Sequence, residues 1–229
     1  MQTQSKLTSR GANQMKLITE MANEQDVEFL VENTKSGKKY YVEGRWMTAN
    51  EPNRNGRMYP GAVMEAALSK YNTEYITQRR AMGELNHPAG PGLNLDRVSH
   101  VIENLKMEGN YVTGRAKVMD TPMGIIAQKL IDEGIKLGVS SRGLGSLKAN
   151  KEGINEVQGD FFISAIDIVN DPSGAGCWVS GLLEGVDYRM MEDGSILEMA
   201  TELVVAQQKK KLDEAKAIRL FENFIKGLG

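Results

Sequence analysis

The nine residues from Phe161 to Val169 (FFISAIDIV) form a nearly continuous apolar run, broken only by Ser164 and Asp167. A run of this length without polar alternation belongs to a strand covered on both faces, so the chain has to build a layer on each side of it. Asp167 tightens the constraint, because a buried carboxylate costs several kcal/mol unless a partner holds it. An arginine, a set of backbone N–H groups or a histidine ring would each serve as that partner.

The rest of the sequence supplies elements that could surround such a strand. Lys39 to Met47 carries aromatic and β-favouring residues and reads as a strand, followed by a turn-rich surface loop from Asn50 to Pro60. A helix is predicted from Pro60 to about Arg79, with Met64, Ala67, Leu68 and Tyr71 on its buried face. Arg97 to Met107 and Tyr111 to Val118 read as a hairpin turning at Glu108-Gly109-Asn110. Thr121-Pro122 has the form of an N-cap with proline at the first helical position, opening a helix that ends at Gly134 and leads into a short strand within Leu137 to Gly145.

The expected division is a polar, mobile N-terminal arm over residues 1–36, a single domain over 37–190, and a C-terminal amphipathic helical tail over 191–229. The tail pattern rests on Leu212, Ala215, Ile218, Phe221 and Ile225. Mixed helices and strands give an α+β class.

Charge narrows the function. With 28 basic and 30 acidic residues the net charge is -2, so no global field favours nucleic acid or an anionic membrane. Cys177 is the only cysteine, which rules out an internal disulfide framework and suits a reducing compartment. Met1 to Met21 lacks the apolar centre of a signal peptide, and no apolar run approaches the ~20 residues of a spanning helix. Gly143-Leu144-Gly145 lacks the third glycine of a dinucleotide fingerprint. A soluble cytoplasmic protein without cofactor, metal, nucleic-acid partner or membrane insertion is expected.

Two histidines limit any imidazole chemistry to His87 or His100. His100 lies within an alternating strand and reads as structural, whereas His87 sits between Asn86 and Pro88 in a loop, where sites are often mounted on a rigid scaffold. Ser140-Ser141-Arg142-Gly143 offers hydroxyls, a guanidinium and close backbone approach on a short strand. A serine hydroxyl becomes a nucleophile only with a base within about 3 Å and donors for the developing oxyanion. Because successive strand residues face opposite sides, only one of the two serines can reach His87. A glycine-rich turn with two solvated serines is the plain alternative.

Gly83-Glu84-Leu85-Asn86-His87-Pro88, Gly138-Val139-Ser140-Ser141-Arg142-Gly143-Leu144-Gly145-Ser146-Leu147, Asp167 and the stretch from Pro172 to Val179 resemble the prohead core proteases of T-even-type tailed phages. Asn53-Arg54-Asn55 and Arg57-Met58-Tyr59-Pro60 resemble the same family's upstream loop. The resemblance spans about Tyr40 to Val179. It extends to the herpesvirus assemblins, which implies an antiparallel β-barrel-like core flanked by helices and a serine endopeptidase mechanism.

By this resemblance His87 is the general base, Ser140 the nucleophile and Asp167 the third member. Ser141 is the alternative nucleophile, since related procapsid proteases carry a serine two residues before glycine. Arg142 and Gly143 are expected to serve the oxyanion or position substrate. The resemblance also implies cleavage after glutamate in Ile/Leu-x-Glu sequences of capsid and scaffold proteins, inside the prohead in the host cytoplasm; self-trimming at both ends of the chain and homo-oligomers are expected. The sequence leaves open which basic residue would receive a substrate glutamate, with Arg97 and Arg142 as candidates. Towards its two ends the chain itself holds such sequences at Ile18-Thr19-Glu20, Leu30-Val31-Glu32, Leu182-Leu183-Glu184, Ile196-Leu197-Glu198, Leu212-Asp213-Glu214 and Leu220-Phe221-Glu222.

Three rivals remain at this stage. Glu84 and His87 have the i, i+3 spacing of a metal hydrolase, with His100 or Asp96 as further ligands. Cys177 and His87 could form a thiol peptidase. A catalytically silent scaffold protein could retain the same fold.

Overall fold

The computed structural model describes residues 15–22, 26–35, 37–53, 55–88 and 90–170, together with the backbone of two strands at 186–190 and 196–200. It divides into a unit over residues 16–184 and a second unit formed by residues 1–15 and 185–229. Within the second, β12 (Val186–Met190) and β13 (Ile196–Ala200) pair antiparallel.

The larger unit is mostly β-sheet. One sheet has the order β2 (Val27–Thr34), β3 (Gly37–Thr48), β7 (Tyr111–Val118), β6 (Val98–Glu108) and β5 (Met82–Glu84). A second contains β1 (Met15–Met21), β8 (Leu137–Gly145) and β11 (Phe162–Asn170), with β8 between the other two and antiparallel to both. A small sheet joins β4 (Arg57–Met58), β10 (Asn155–Val157) and β9 (Leu147–Ala149). Helix α1 (Gly61–Tyr71) lies against β11 and β6, and α2 (Pro122–Asp132) against β6 and β7.

Local chemistry explains most of these elements. The β6–β7 hairpin turns at Gly109, whose φ of 62° suits glycine. Thr121 caps α2, its hydroxyl accepting from the Gly124 N–H, and Gly134 follows the helix with φ 71°. The helix predicted from Pro60 to Arg79 is α-helical only to Tyr71, after which one π-helical turn runs from Asn72 to Ile76. The side chain of Asn72 there donates to the carbonyls of Leu68 and, in β6, Leu105, tying the turn to the sheet. Trp46, Met64, Tyr71, Leu105, Ile163, Ile166 and Ile168 anchor the shared core.

Two expectations change. The N-terminal arm is not an arm over its second half: Met15–Met21 and Val27–Thr34 are strands, because β8 and β3 supply ladder partners that local sequence cannot reveal. The α+β class stands, but among the described residues no closed barrel forms. The main chain leaving β5 pairs with that of β11 through a parallel bridge between Leu85 and Ile168 and the hydrogen bond from the Asn86 N–H to the Ile168 carbonyl, too little to close the sheets into one. Asn86 then turns into the left-handed region, φ 66°, which ends the pairing. In the expected helical tail, Ile196–Ala200 is a strand; the helical pattern at Leu212 to Ile225, like Cys177, lies outside the described residues.

One irregularity in β11 has consequences for the site. Ile163 lies opposite Gly143, but the next pairing is Ala165 with Arg142, so Ser164 is an extra residue, a β-bulge. From there Ile166 faces Ser141 and Asp167 faces Ser140. Were Ser164 paired into the ladder instead of bulged out, Ile166 would fall opposite Ser140 and Asp167 would turn to the other face. The Ser164 hydroxyl donates to the Arg142 carbonyl at 3.1 Å, which holds the bulge.

His100 behaves as a core residue. Fully buried on β6, it donates from Nε2 to the Ile166 carbonyl (2.9 Å), and its Nδ1 is 2.9 Å from the Ser99 hydroxyl. Burial pushes its pKa down from 6.5 to about 4, against the opposing pull of Asp167 and the Ile166 carbonyl. The unfolded chain therefore binds a proton that the folded chain refuses between those two values. Stability from this residue is complete above pH 6.5 and falls as pH drops toward 4, by about 1.4 kcal/mol per pH unit and about 3 kcal/mol in all. Urea unfolding of the wild type and His100→Gln across this range should show that slope flattened in the variant; an unchanged slope would contradict it.

Candidate active site

Three strands deliver the site. β8 is buried along its whole length, and its alternation puts Ser140 and Arg142 on one face and Ser141 on the other. Asp167 stands directly across from Ser140 in the antiparallel register and so shares its face. The chain leaving β5 is pinned to β11 at Leu85 and Asn86, and this sets His87 beside the pair.

His87 Nδ1 is 2.7 Å from Asp167 Oδ2, and Nε2 is 2.8 Å from Ser140 Oγ. A carboxylate only accepts, so Nδ1 carries the proton and Nε2 presents its lone pair to the serine hydroxyl. Asp167 also accepts from Arg142 Nε (2.6 Å) and from the Glu84 N–H (2.9 Å). Burial pushes the Asp167 pKa up, but the His87 hydrogen bond and the Arg142 charge outweigh it and hold the carboxyl below the usual carboxylate range. The acid is thus an anion when the ring needs an acceptor. Both partners considered from sequence, an arginine with backbone N–H and the histidine ring, are present together.

Arg142 does not serve the oxyanion with its side chain. Its five N–H donors are engaged by Asp167 Oδ2 and Oδ1, Glu84 Oε1 and the carbonyls of Gly90 and Gly92, and it is fully buried. It holds the acid and closes the His87 loop instead. Gly143 is paired with Ile18 on one side and Ile163 on the other, and a Cβ there would lie 2.4 Å from the Phe161 ring. Its glycine is required by packing. Glu84, a ligand in the metal reading, faces Arg97 (3.2 Å), Arg142 and the Asn94 N–H (2.8 Å), and no group of three metal-ligating side chains occurs among the described residues. Arg142 is closed within this buried acid network and is not placed to receive a substrate glutamate, whereas Arg97 meets Glu84 from the edge of the network with its side chain 40% exposed.

A fourth strand reaches the serine. Glu20 of β1 places its carbonyl 3.0 Å from Ser140 Oγ, while Ser141 Oγ lies 3.5 Å from the same oxygen. The Ser140 hydroxyl has one proton and two acceptors, His87 Nε2 and the Glu20 carbonyl. The Glu20 side chain enters a polar pocket made by Asn55, Arg57 and Tyr59. From sequence, Asn55, Arg57 and Tyr59 belong only to a loop that resembles the family's, and Glu20 only to an Ile-x-Glu sequence; the strand that joins them is not visible there.

A hydroxyl, an imidazole and a carboxylate in one hydrogen-bonded row define the serine hydrolases, a class recognised by geometry rather than by chain order. Residues 13–185 match the family described as prohead core protein serine protease. The prohead core protein protease of Enterobacteria phage T4 is 39% identical over 144 residues, which cover 61% of this chain and 68% of that protein. The solved structure of the bacteriophage T4 capsid assembly protease superposes with a TM-score of 0.63 at 32% identity, covering 69% of this chain and 99% of that one. The chain belongs to the prohead core serine proteases, and it is a serine endopeptidase.

Proposed function

We propose that this protease cleaves capsid and scaffold proteins inside the phage prohead, within the host cytoplasm, after glutamate in Ile/Leu-x-Glu sequences, and that it trims its own N-terminus between Glu20 and Met21. Ser140 is the nucleophile, His87 the general base and Asp167 the group that orients the ring. The carrying observation is the Ile18-Thr19-Glu20 sequence seated with its last carbonyl 3.0 Å from Ser140 Oγ.

In the first step Ser140 Oγ bonds to the Glu20 carbonyl carbon, and its proton passes to His87 Nε2. Asp167, with Arg142 behind it, stabilises the imidazolium that forms. Collapse of the tetrahedral intermediate breaks the Glu20–Met21 bond, and the imidazolium gives its proton to the Met21 nitrogen. Water then cleaves the acyl ester by the same proton route. While uncut, β1 occupies the site and its carbonyl competes with Nε2 for the serine proton. Trimming would therefore both use and release the catalytic row.

The second match in this stretch is differently placed. Glu32 is exposed on β2 and pairs with Arg115 at 3.1 Å. Cleavage at Glu20 with Glu32 spared is the expected pattern. Intact-mass analysis of purified full-length chain should show loss of residues 1–20 in the wild type and none in Ser140→Ala; an N-terminus cut at another bond, or loss persisting in the variant, would defeat the proposal.

The proposed domain organisation is a protease unit that begins near Lys16 rather than at residue 37; of the tail expected over 191–229, all but the strand Ile196–Ala200 lies outside the described residues. Other copies of the chain, together with capsid and scaffold proteins, are the proposed partners. Kinship with the herpesvirus assemblins belongs to the same reading, supported by a mainly antiparallel β core carrying two helices.

A further inference from the structure

We propose that Arg57, together with Asn55 and Tyr59, is the glutamate-selecting pocket of the enzyme, occupied here by Glu20 and by a substrate glutamate once β1 has been cut. This rests on Ser140 acting as the nucleophile.

Glu20 sits in a position where a carboxylate needs strong compensation, since the residue is only 6% exposed. Arg57 Nε donates to Oε1 at 2.5 Å, the Tyr59 hydroxyl donates to the same oxygen at 3.1 Å, and Asn55 Nδ2 donates to Oε2 at 2.7 Å. Burial, and then the neighbouring Glu20 charge, push the Tyr59 pKa well above its ordinary value, so the hydroxyl keeps its proton and remains a donor. All three groups are donors. A glutamine in this place would turn its NH2 toward one of them, and an aspartate is one methylene short.

Arg57 reads more than charge. Its NH2 group also donates to the Thr19 carbonyl at 3.0 Å, so the guanidinium grips the extended main chain one residue before the cut. On an extended segment Ile18 and Glu20 share a face, and both are buried. An apolar residue, any residue and then glutamate is the spacing such a surface would accept.

The pocket is built before anything enters it. Asn53 Oδ1 accepts the N–H groups of Asn55 and Arg57, both at 3.0 Å, and the Asn53 N–H donates to the Arg57 carbonyl. Gly56, φ 66°, makes the turn, and Arg57 then joins the small sheet opposite Asn155. Tyr59 is braced edge-on by Phe161, the rings 5.2 Å apart. A segment whose only task was to hold β1 would not require this preorganised array of donors beside a nucleophile.

The test uses full-length chains, allowed to trim, whose active serines are counted by fluorophosphonate titration. Each is assayed on two peptides that differ only in Glu or Gln before the scissile bond. The wild type should favour the Glu peptide about 100-fold in kcat/KM. Arg57→Met should reduce that ratio to a few-fold per labelled serine, and Asn55→Leu, a change on an exposed loop that the fold tolerates, should lower it about ten-fold. A wild-type ratio retained by both variants overturns the pocket while leaving the nucleophile intact. Absence of label on Ser140 in the wild type overturns the nucleophile, and the pocket with it.

Discussion

Ser140→Ala is expected to lower peptide turnover by about five orders of magnitude, whereas Ser141→Ala should leave it within ten-fold of the wild type. The two serines are adjacent in sequence but lie on opposite faces of β8, and only Ser140 is hydrogen-bonded to His87. Ser141 pairs across with Ile166 and Glu20, and its hydroxyl reaches the Glu20 carbonyl only at 3.5 Å. His87→Ala should cost about as much as Ser140→Ala, and the double variant little more, because a base without its nucleophile does nothing. Equal losses in the two serine variants, measured on the same peptide, would refute the assignment.

Arg142→Met is expected to destabilise the protein by about 3–5 kcal/mol, the cost of leaving buried charges without a partner. Asp167 and Glu84 are both fully buried, and Arg142 contacts both. Arg142→Lys should recover little, since one ammonium cannot reproduce the five-donor fan that also holds the Gly90 and Gly92 carbonyls. Urea unfolding measures the loss. A variant as stable as the wild type would mean that Asp167 and Glu84 find other partners. Asp167→Asn provides the contrast: it keeps the shape and should fold, yet lose about 10,000-fold in kcat by presenting the wrong hydrogen-bond partner to Nδ1.

Much of this was legible because it is local. The β6–β7 hairpin, the Thr121 cap and the loop position of His87 follow from turn residues and periodicity. The apolar run around Asp167 announced a buried acid in need of a partner, and strand alternation limited the serines to one. What escaped is long-range. β1 is a strand because β8 is beside it, and its mixed polar sequence gives no such sign. Arg142, adjacent in sequence to a serine, looked like an oxyanion donor until its guanidinium was seen closed on Asp167 and Glu84. Arg57 was one of two arginines in a turn-rich loop that resembles the family's, and the pairing of β4 with β10 gives it a direction.

The bulge at Ser164 takes up one residue, so Asp167 keeps its place opposite Ser140 although β11 carries one residue more than β8 between the two anchored pairs. Deleting Ser164 would straighten the strand and leave the acid facing the nucleophile, whereas drawing Ser164 into the ladder would send the acid to the far side of its sheet. In comparisons across this family, a one-residue gap at Ser164 is therefore compatible with an intact catalytic row, and the pairing of the strand rather than its length tells an active relative from a silent one.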